Sequence, residues 1–350
     1  MIYKKKVFFK RLTLFVSLLA LGFNSCSQPE ENKIKINGLS FVATSSVPTE
    51  SQFNHTLNIN ANSVAIMPFG FMPSKEKGNI VFNHPNQWEG ETPEGIRKTI
   101  QLAHKLGQTT MLKPQLWISK GYFTGFLEMD NEEQWLILEL KYREFILSFA
   151  KIAEEEKSEL FCIGTELGRF VAKRPKFWID LVDEIKTIYS GKITYAENWD
   201  CFDKPIFLSQ LDYIGVDAYF PLTDKKDPSE EDIKLGWAEH LAKLKLCSET
   251  HNIPVLFTEC GYRSIDFAGE KPWDYGRKEG ASTNLKLQSR LLQVMFDECW
   301  SKEYIAGGYI WKWFPNHEDV GGLENNRFTP QNKPAEKIIA TFYGKGVEKK

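Results

Sequence analysis

The sequence is poor in cysteine, and its cysteines are scattered. There are six among 350 residues, none of them in a CxxC pair, and an odd number remains once Cys26 is set apart. This spacing is typical neither of a disulfide scaffold nor of a zinc knuckle. The six histidines form no HExxH or HxH pair. We therefore predict no metal site and no cofactor.

Signatures of several other protein classes are also missing. No residue class is abundant enough to indicate collagen, a coiled coil or long disorder. No glycine-rich phosphate turn follows the first predicted strand, and there is no GxSxG motif, which argues against a dinucleotide-binding domain and a serine hydrolase. The length suits either two ordinary domains or one large barrel. Because no proline-, glycine- or serine-rich linker interrupts the middle of the chain, we expect a single domain.

The first 25 residues differ from the rest of the chain. They carry five basic and no acidic side chains and include an apolar run, residues 12–23, just before Cys26. This run is shorter than the roughly 20 residues that span a bilayer, and the pattern is typical of an export signal. The ending Phe23-Asn24-Ser25-Cys26 resembles a bacterial lipoprotein signal, although leucine and small residues would be usual at the first two positions. We predict lipidation at Cys26, with ordinary secretion as the alternative.

Removal of this signal makes the chain more acidic. Without the five basic residues of the signal, 39 of the 44 basic residues remain beside 46 acidic residues, and the net charge is −7. An acidic chain lacks the basic surface that nucleic-acid binding requires. We expect an exported monomer at the cell envelope (outer membrane or cell surface), held to the membrane only by a lipid anchor. Residues 26–35 would form a polar tether and residues 36–345 the folded domain.

Short apolar runs alternate with long amphipathic stretches in that domain. The eight runs cover residues 38–43, 63–71, 109–118, 160–166, 192–199, 211–220, 253–259 and 305–314. The main helical patterns cover residues 92–106, 132–157, 175–189, 230–250, 284–303 and 334–343. This alternation predicts an α/β fold with a parallel sheet and crossover helices, and eight such units fit a single (β/α)8 TIM barrel. An open doubly wound sheet is the alternative.

Two of the apolar runs end in the same dipeptide, Thr-Glu. Glu166 ends the fourth run and Glu259 ends the seventh. Active-site residues of such barrels lie at the C-terminal strand ends, so the two glutamates would face each other across the barrel mouth. By strand alternation, the small residues Cys162 and Gly164 share the face of Glu166 and would leave room in the barrel centre. Paired carboxyl groups are what glycosidic bond hydrolysis needs, although each glutamate alone is explained equally well as a helix cap or an arginine partner.

The tryptophans point to the same chemistry. Four of the ten lie at predicted strand ends: Trp117, Trp199, Trp311 and Trp313. Indole rings offer a flat apolar face with a polar edge, which suits the C–H face of a sugar ring. Four around one rim therefore favour a carbohydrate cleft over core packing. Lys113 and Gln115 share a face with Trp117 and are candidate sugar hydrogen-bonders; the alternative for them is a salt bridge inside the barrel.

Five motifs, taken in order, carry a resemblance to a known family. They are MLKPQLW at residues 111–117, IGTEL at 163–167, DAYFP at 217–221, TECGY at 258–262 and GYIWKW at 308–313. Together they resemble glycoside hydrolase family 113, a β-mannanase family of the retaining (β/α)8 clan A, from about residue 38 to residue 343. The resemblance implies that Glu166 is the acid/base and Glu259 the nucleophile. It also implies that Tyr219 hydrogen-bonds to Glu259, and that Trp311 or Trp313 floors the subsite of the reacting sugar.

One position departs from the clan. Much of it has asparagine immediately before the acid/base, contacting the sugar 2-hydroxyl, and this chain has Thr165 there. Asn198, at the end of the fifth run, is a candidate to supply an amide instead, beside Trp199. The departure leaves the choice of mannose over glucose open.

The main hypothesis is a retaining β-glycoside hydrolase that acts on β-1,4-mannan or related manno-oligosaccharides by double displacement. The alternatives are the same chemistry on galactan, glucan or xylan, and a non-catalytic surface lipoprotein that binds glycans. The sequence leaves endo and exo action open.

Overall fold

The computed structural model describes residues 34–276 and 279–345. The predicted export signal, Cys26 and most of the predicted tether lie outside these residues and stay predictions. The chain divides into two units, residues 1–34 and residues 35–350, and the fold below belongs to the second. Its strands are β1 (Ile36–Phe41), β2 (Ser63–Ile66), β3 (Phe69–Met72), β4 (Thr109–Leu112), β5 (Gln115–Ile118), β6 (Leu160–Thr165), β7 (Lys192–Asn198), β8 (Tyr213–Asp217), β9 (Val255–Cys260) and β10 (Ile305–Trp313).

The helices lie mainly between consecutive barrel strands. They are α1 (Glu50–Asn58), α2 (Pro93–Lys105), α3 (Glu132–Glu155), α4 (Gly168–Lys173), α5 (Pro175–Ile188), α6 (Glu230–His251), α7 (Leu285–Cys299) and α8 (Pro334–Tyr343). Local signals set several of their starts: Thr92 caps α2 ahead of a proline, and Ser229 forms a capping box at α6. The short helices α1 and α4 are additional to those that the sequence pattern predicts. No helix within the described ranges combines the length and apolar character needed to cross a membrane.

Eight of the strands close into a parallel barrel. Their order around it is β1-β10-β9-β8-β7-β6-β4-β2, and β2 pairs back with β1. This confirms the predicted (β/α)8 barrel and excludes the open doubly wound alternative. The C-terminal ends of all eight strands therefore point to the same end of the molecule.

The other two strands form a small sheet beyond this end of the barrel. The second and third predicted runs each contain a proline, Pro68 and Pro114, and each splits into two strands there. Proline has no N–H to donate and so interrupts a strand ladder. Beyond the breaks, β3 and β5 pair in parallel. The small sheet carries Trp117 and Gln115 at the barrel mouth.

Side chains fill the barrel centre. One buried cluster inside it consists of Ala65, Met111, Leu160, Cys162, Ala196, Leu256 and Tyr309. The Tyr309 ring lies against Gly38, where a Cβ atom would come within 2.3 Å of the ring, and its hydroxyl is 3.0 Å from Ser63 Oγ. Because the centre is packed, a substrate can reach the barrel only at one of its ends.

A β-bulge interrupts β6 just before Glu166. The register with β7 shifts between Cys162 and Thr165. As a result, a Cβ atom on Gly164 would meet, at 2.7–3.0 Å, three aromatic side chains of the outer layer: Tyr142, Tyr195 and Trp178. The prediction that Gly164 leaves room in the barrel centre is therefore wrong, because the extra residue turns it outward. Beyond the bulge, Glu166 adopts a left-handed backbone with a φ of 49°.

Candidate active site

A cleft of about 390 Å³ opens at the C-terminal end of the barrel. Its walls come from the ends of the barrel strands and from the small sheet of β3 and β5. Both predicted glutamates, Glu166 and Glu259, line it, together with Gln115, Trp117 and Trp311. The closed barrel thus brings together residues that are separated by up to about 200 positions in the chain.

Three donors surround the Glu259 carboxyl group. Lys113 Nζ lies 2.5 Å from Oε1, and Gln115 Nε2 donates to the same oxygen over 3.0 Å. The Tyr219 hydroxyl donates to Oε2 over 2.8 Å, which is the contact that the family resemblance implies. Both carboxylate oxygens are therefore held in place, and a positive charge lies directly beside them.

Lys113 is buried below the cleft rather than exposed in it. Its side chain is fully shielded from solvent, and Nζ also lies 3.2 Å from Asp217 Oδ1. Burial opposes the ammonium charge, but Asp217 and Glu259 outweigh it and hold the pKa of Lys113 above its ordinary value. The prediction that Lys113 hydrogen-bonds sugar is therefore wrong. The alternative, a salt bridge inside the barrel, describes its position.

Asp217 is a third carboxyl group at the site, and no role was predicted for it from the sequence. It ends β8 and lines the cleft. Its Oδ1 accepts hydrogen bonds from Lys113 and from Thr258 Oγ1, the latter over 2.8 Å, whereas its buried Oδ2 has no partner within the described residues. Burial, followed by the charge of Glu259, raises the pKa of Asp217 to about 7. The strand-end rule that found the glutamates applies equally to this aspartate.

Glu166 has a different environment from Glu259. Its half-buried carboxyl group lines the cleft and makes no hydrogen bond to another described residue. Burial raises the pKa of Glu166 well above its ordinary value, and the negative charges of Asp217 and Glu259 raise it further. A carboxyl group with a raised pKa keeps its proton near neutral pH and is able to donate it. The two glutamates are therefore electrostatically unlike.

A further glutamate, Glu197, is buried near the end of β7. Its Oε1 accepts the backbone N–H of Asn198 over 2.9 Å, and its Oε2 accepts the hydroxyl of Tyr195 over 3.1 Å. Burial raises the pKa of Glu197 to about 7, and its charge contributes to the raised pKa of Glu166. Asn198, the next residue, was predicted from the sequence as a site residue, and Glu197 was not.

The raised pKa of Glu197 predicts a pH-dependent contribution to stability. The folded protein holds the proton more tightly than an unfolded chain with the ordinary value of 4.5, so stability is lost as the pH rises from 4.5 through 7. Because glutamine is neutral throughout, we expect the free energy of unfolding of Glu197→Gln to rise relative to wild type by about 2–3 kcal/mol between pH 4.5 and pH 8.5. Urea unfolding across this range measures it. Exposed Glu133→Gln should show a flat difference, and a flat difference for Glu197→Gln would contradict the prediction.

The four strand-end tryptophans separate into two groups. Trp117 is 55% exposed at the cleft rim, and Trp311 lines the cleft with its Nε1 donating to the hydroxyl of Tyr275 over 3.2 Å. Trp313, by contrast, is fully buried among the core residues between barrel and helices. It cannot present a face to sugar, so its predicted role is wrong and only Trp311 remains a candidate floor.

Asn198 and Trp199 also lie outside this cleft. Trp199 stacks on Trp273, with ring centroids 5.2 Å apart and an interplanar angle of 25°, so another indole covers one of its faces. Asn198 Oδ1 accepts the backbone N–H of Trp199 over 3.0 Å. Neither residue lines the cleft that contains the glutamates, and the predicted sugar contacts of both are therefore not supported.

Loops supply cleft residues that the strand pattern could not indicate. Trp88, which is 54% exposed, and Glu91 come from the connection between β3 and α2. Tyr275 comes from the connection between β9 and α7. Loop conformation depends on tertiary contacts rather than on a repeating sequence pattern, so sequence reasoning had no signal for these three residues.

One group of side chains within the described residues has metal-ligating chemistry. Ligand atoms of His55, His317 and Glu318 lie within 4.8 Å of one another. The two imidazole rings, however, are stacked with centroids 4.5 Å apart and planes 7° from parallel. An ion lies in the plane of each imidazole that binds it, and two stacked parallel planes cannot share one ion. This arrangement does not fit a metal centre, and these residues do not line the cleft.

A closed parallel barrel with two electrostatically unlike glutamates in one cleft at its C-terminal end defines a glycoside-hydrolase type of site. The model of Glycoside Hydrolase Family 113 matches residues 45–333. The chain belongs to this family, as the resemblance implied, and is an O-glycosyl hydrolase.

Solved structures of similar fold include other members of the same family. The β-mannanase of Alicyclobacillus acidocaldarius, in complex with ManMIm, superimposes with a TM-score of 0.77 at 23% identity, over 89% of this chain and 97% of its own. A complex of a family 113 β-1,4-mannanase gives 0.77 at 21% identity, over 88% and 98%. A β-glucuronidase of Ruminococcus gnavus, in complex with D-glucuronic acid, gives 0.56 at 13% identity, over 89% of this chain and 49% of its own. No curated protein sequence matches the chain.

Proposed function

We propose that this enzyme hydrolyses β-1,4-linked mannan or manno-oligosaccharides with retention of anomeric configuration. The observation that carries the mechanism is the contrast between Glu259, held by three donors including an ammonium group, and Glu166, whose pKa is raised in the same cleft. The β-mannanase activity of the two family members of similar fold supports the choice of sugar.

In the first step Glu166 acts as an acid. It gives its proton to the glycosidic oxygen as the bond to the anomeric carbon breaks, and the Glu259 carboxylate forms a new bond to that carbon. The leaving sugar departs as an alcohol. Glu166 is then a carboxylate, and the retained sugar is an ester of Glu259.

In the second step Glu166 acts as a base. It takes a proton from a water molecule whose oxygen attacks the anomeric carbon, and the ester bond to Glu259 breaks. Both glutamates return to their starting protonation states. Two successive inversions leave the product with the configuration of the substrate.

The other cleft residues have supporting roles in this proposal. Lys113, Gln115 and Tyr219 orient the Glu259 carboxylate, and the lysine offsets its charge. Trp311 offers an indole face to the reacting sugar. Thr165 lines the cleft with a buried hydroxyl that has no partner within the described residues, which makes it a candidate contact for a sugar hydroxyl beside the acid.

We further propose that the enzyme is exported and anchored as a monomer at the cell envelope through lipidated Cys26. The basic start and apolar run before this cysteine support the proposal. If it holds, wild type partitions with membranes and Cys26→Ser does not. Recovery of both proteins in the soluble fraction would exclude the anchor.

A panel of oligosaccharides tests the proposed substrate and stereochemistry together. Mannan, glucan, xylan and galactan oligosaccharides are incubated with enzyme, and the anomer first released is followed by NMR. We expect cleavage of the mannan series with β-product first. Exclusive cleavage of another series would show that the substrate is not mannan. An α-product released first would show an inverting mechanism in place of the double displacement. Binding of the mannan series without any product would contradict the proposed substrate.

A further inference from the structure

Lys312 is a cation in the cleft that forms no ion pair with any carboxylate of the described residues. It follows Trp311 at the end of β10 and lines the same cavity as Glu166 and Glu259. Its ammonium nitrogen lies 5.4 Å from the ring centre of Trp311 and 5.2 Å from that of Phe314. No carboxylate of the described residues comes within the 4.0 Å that defines an ion pair. Lys113, in contrast, contacts two carboxylates.

A second positive charge, that of the exposed Arg327, also acts on Lys312. Arg327 precedes Phe328, whose ring packs against Tyr219 and Tyr275 with centroids 5.9 and 5.3 Å away. The guanidinium of Arg327 has no ion pair to a described carboxylate either. Burial lowers the pKa of Lys312, the charge of Glu259 acts against burial, and the charge of Arg327 lowers the pKa further. An anion bound beside Lys312 would be attracted by both positive charges.

We propose that Lys312 forms a subsite for the carboxylate of a β-linked uronic acid residue at or next to the cleaved bond. This inference rests on the proposed function. It extends the substrate from a neutral mannan to a β-glycan that carries uronic acid residues.

The geometry favours a carboxylate attached to a sugar. A uronic acid whose pyranose ring stacked on Trp311 would bring its carboxylate toward Lys312, whose ammonium nitrogen lies 5.4 Å from the centre of the indole ring. The rest of the cleft carries carboxyl groups: Glu91, Glu166, Asp217 and Glu259. An anionic sugar would be repelled there unless a local cation received it. A neutral hydroxyl needs no such cation, because an uncharged donor such as Gln115 is sufficient.

A pair of tetrasaccharides that differ only at C6 tests the subsite: β-1,4-mannotetraose and β-1,4-tetramannuronate. We expect wild type to cleave the uronate, with a KM that rises with salt, because a charged contact is screened. Lys312→Met should lower the uronate-to-neutral ratio of kcat/KM by about 10- to 100-fold, the usual range for loss of a charge-assisted hydrogen bond, and Arg327→Met should lower it less. Lys151→Met, on the outer surface of α3, is the matched control and should leave the ratio unchanged.

Binding distinguishes failure of this inference from failure of the proposed function. Calorimetry with the Glu166→Gln variant, alone and combined with Lys312→Met, measures affinity for both tetrasaccharides without turnover. Cleavage of mannotetraose with neither cleavage nor binding of the uronate overturns the inference alone, as does an equal effect of Lys312→Met on both substrates. If neither sugar is cleaved, the proposed function fails, and binding of the uronate that depends on Lys312 still supports the subsite.

Discussion

Glu259→Gly is expected to lower kcat by at least about 10³-fold, because it removes the group that forms the covalent intermediate in the proposed mechanism, and loss of one of several cooperating catalytic residues commonly costs this much or more. Added azide is expected to restore turnover. Azide fits the space left by the side chain and attacks the anomeric carbon once, from the side that the carboxylate occupied. One displacement in place of two gives the α-glycosyl azide, of inverted configuration.

The azide experiment also controls for folding, since only a folded cleft can be rescued. Product is identified by NMR, and rescue is compared with Glu166→Gly, in which azide should give the β-azide through the intact Glu259 ester. If Glu259→Gly kept more than a few per cent of wild-type activity, or if azide gave the β-product, another residue would be the nucleophile. Asp217 would then be the first candidate, since it is the other carboxyl group that Lys113 contacts.

The fold could be predicted because its strands and helices repeat with a regular pattern. Strands buried on both faces appear as continuous apolar runs, and eight of them alternating with helical patterns leave few architectures other than a barrel. The pattern could not show where an individual strand is interrupted. Pro68 and Pro114 divide two runs and produce the small sheet, and the bulge before Glu166 reverses the side to which Gly164 points. Both depend on which strand lies alongside.

The sequence predicted only those site residues whose position follows from the end of a strand. Glu166 and Glu259 share the cleft because every parallel strand ends at the same rim. Trp313 is also near a strand end, yet it is buried in the outer layer, since position along a strand does not say which face is covered. Lys113 contacts its partners only across the closed barrel. Asp217 also ends a strand and could have been predicted in the same way. The family resemblance instead pointed to Tyr219, two residues further on.

Together these contacts form one charge network across the barrel mouth. Lys113 lies between Asp217 and Glu259, and the negative charges of these two raise the pKa of Glu166. In the proposed mechanism, the charge of Glu259 therefore helps Glu166 to keep its proton before the first step. Once the ester forms, Glu259 loses its charge, and this contribution to the raised pKa of Glu166 disappears. Glu166 then gives up a proton more readily, which suits its second role as the base.

This network leads to a prediction about Glu166 itself. Glu166→Gln is expected to lower kcat on oligosaccharides by about 10²- to 10⁴-fold, the usual contribution of general acid–base catalysis. A substrate with a good leaving group, such as a dinitrophenyl β-glycoside, needs no proton in the first step. It should therefore form the Glu259 ester at nearly the normal rate and then release sugar slowly. Rapid-quench kinetics should show a burst of dinitrophenol stoichiometric with enzyme.

The pH dependence of kcat/KM tests whether Glu166 is the proton donor. Because the pKa of Glu166 is raised, its protonated form persists toward neutral pH, and kcat/KM of wild type should fall as the pH rises through that pKa. Glutamine does not titrate, so the Glu166→Gln variant should lose this basic limb and keep only the acidic one. Glu133→Gln, at an exposed position on α3, should retain the wild-type profile. A basic limb that persists in Glu166→Gln would assign the proton donor to another group, with Asp217 and Glu197 as the nearest candidates, since burial raises the pKa of each to about 7.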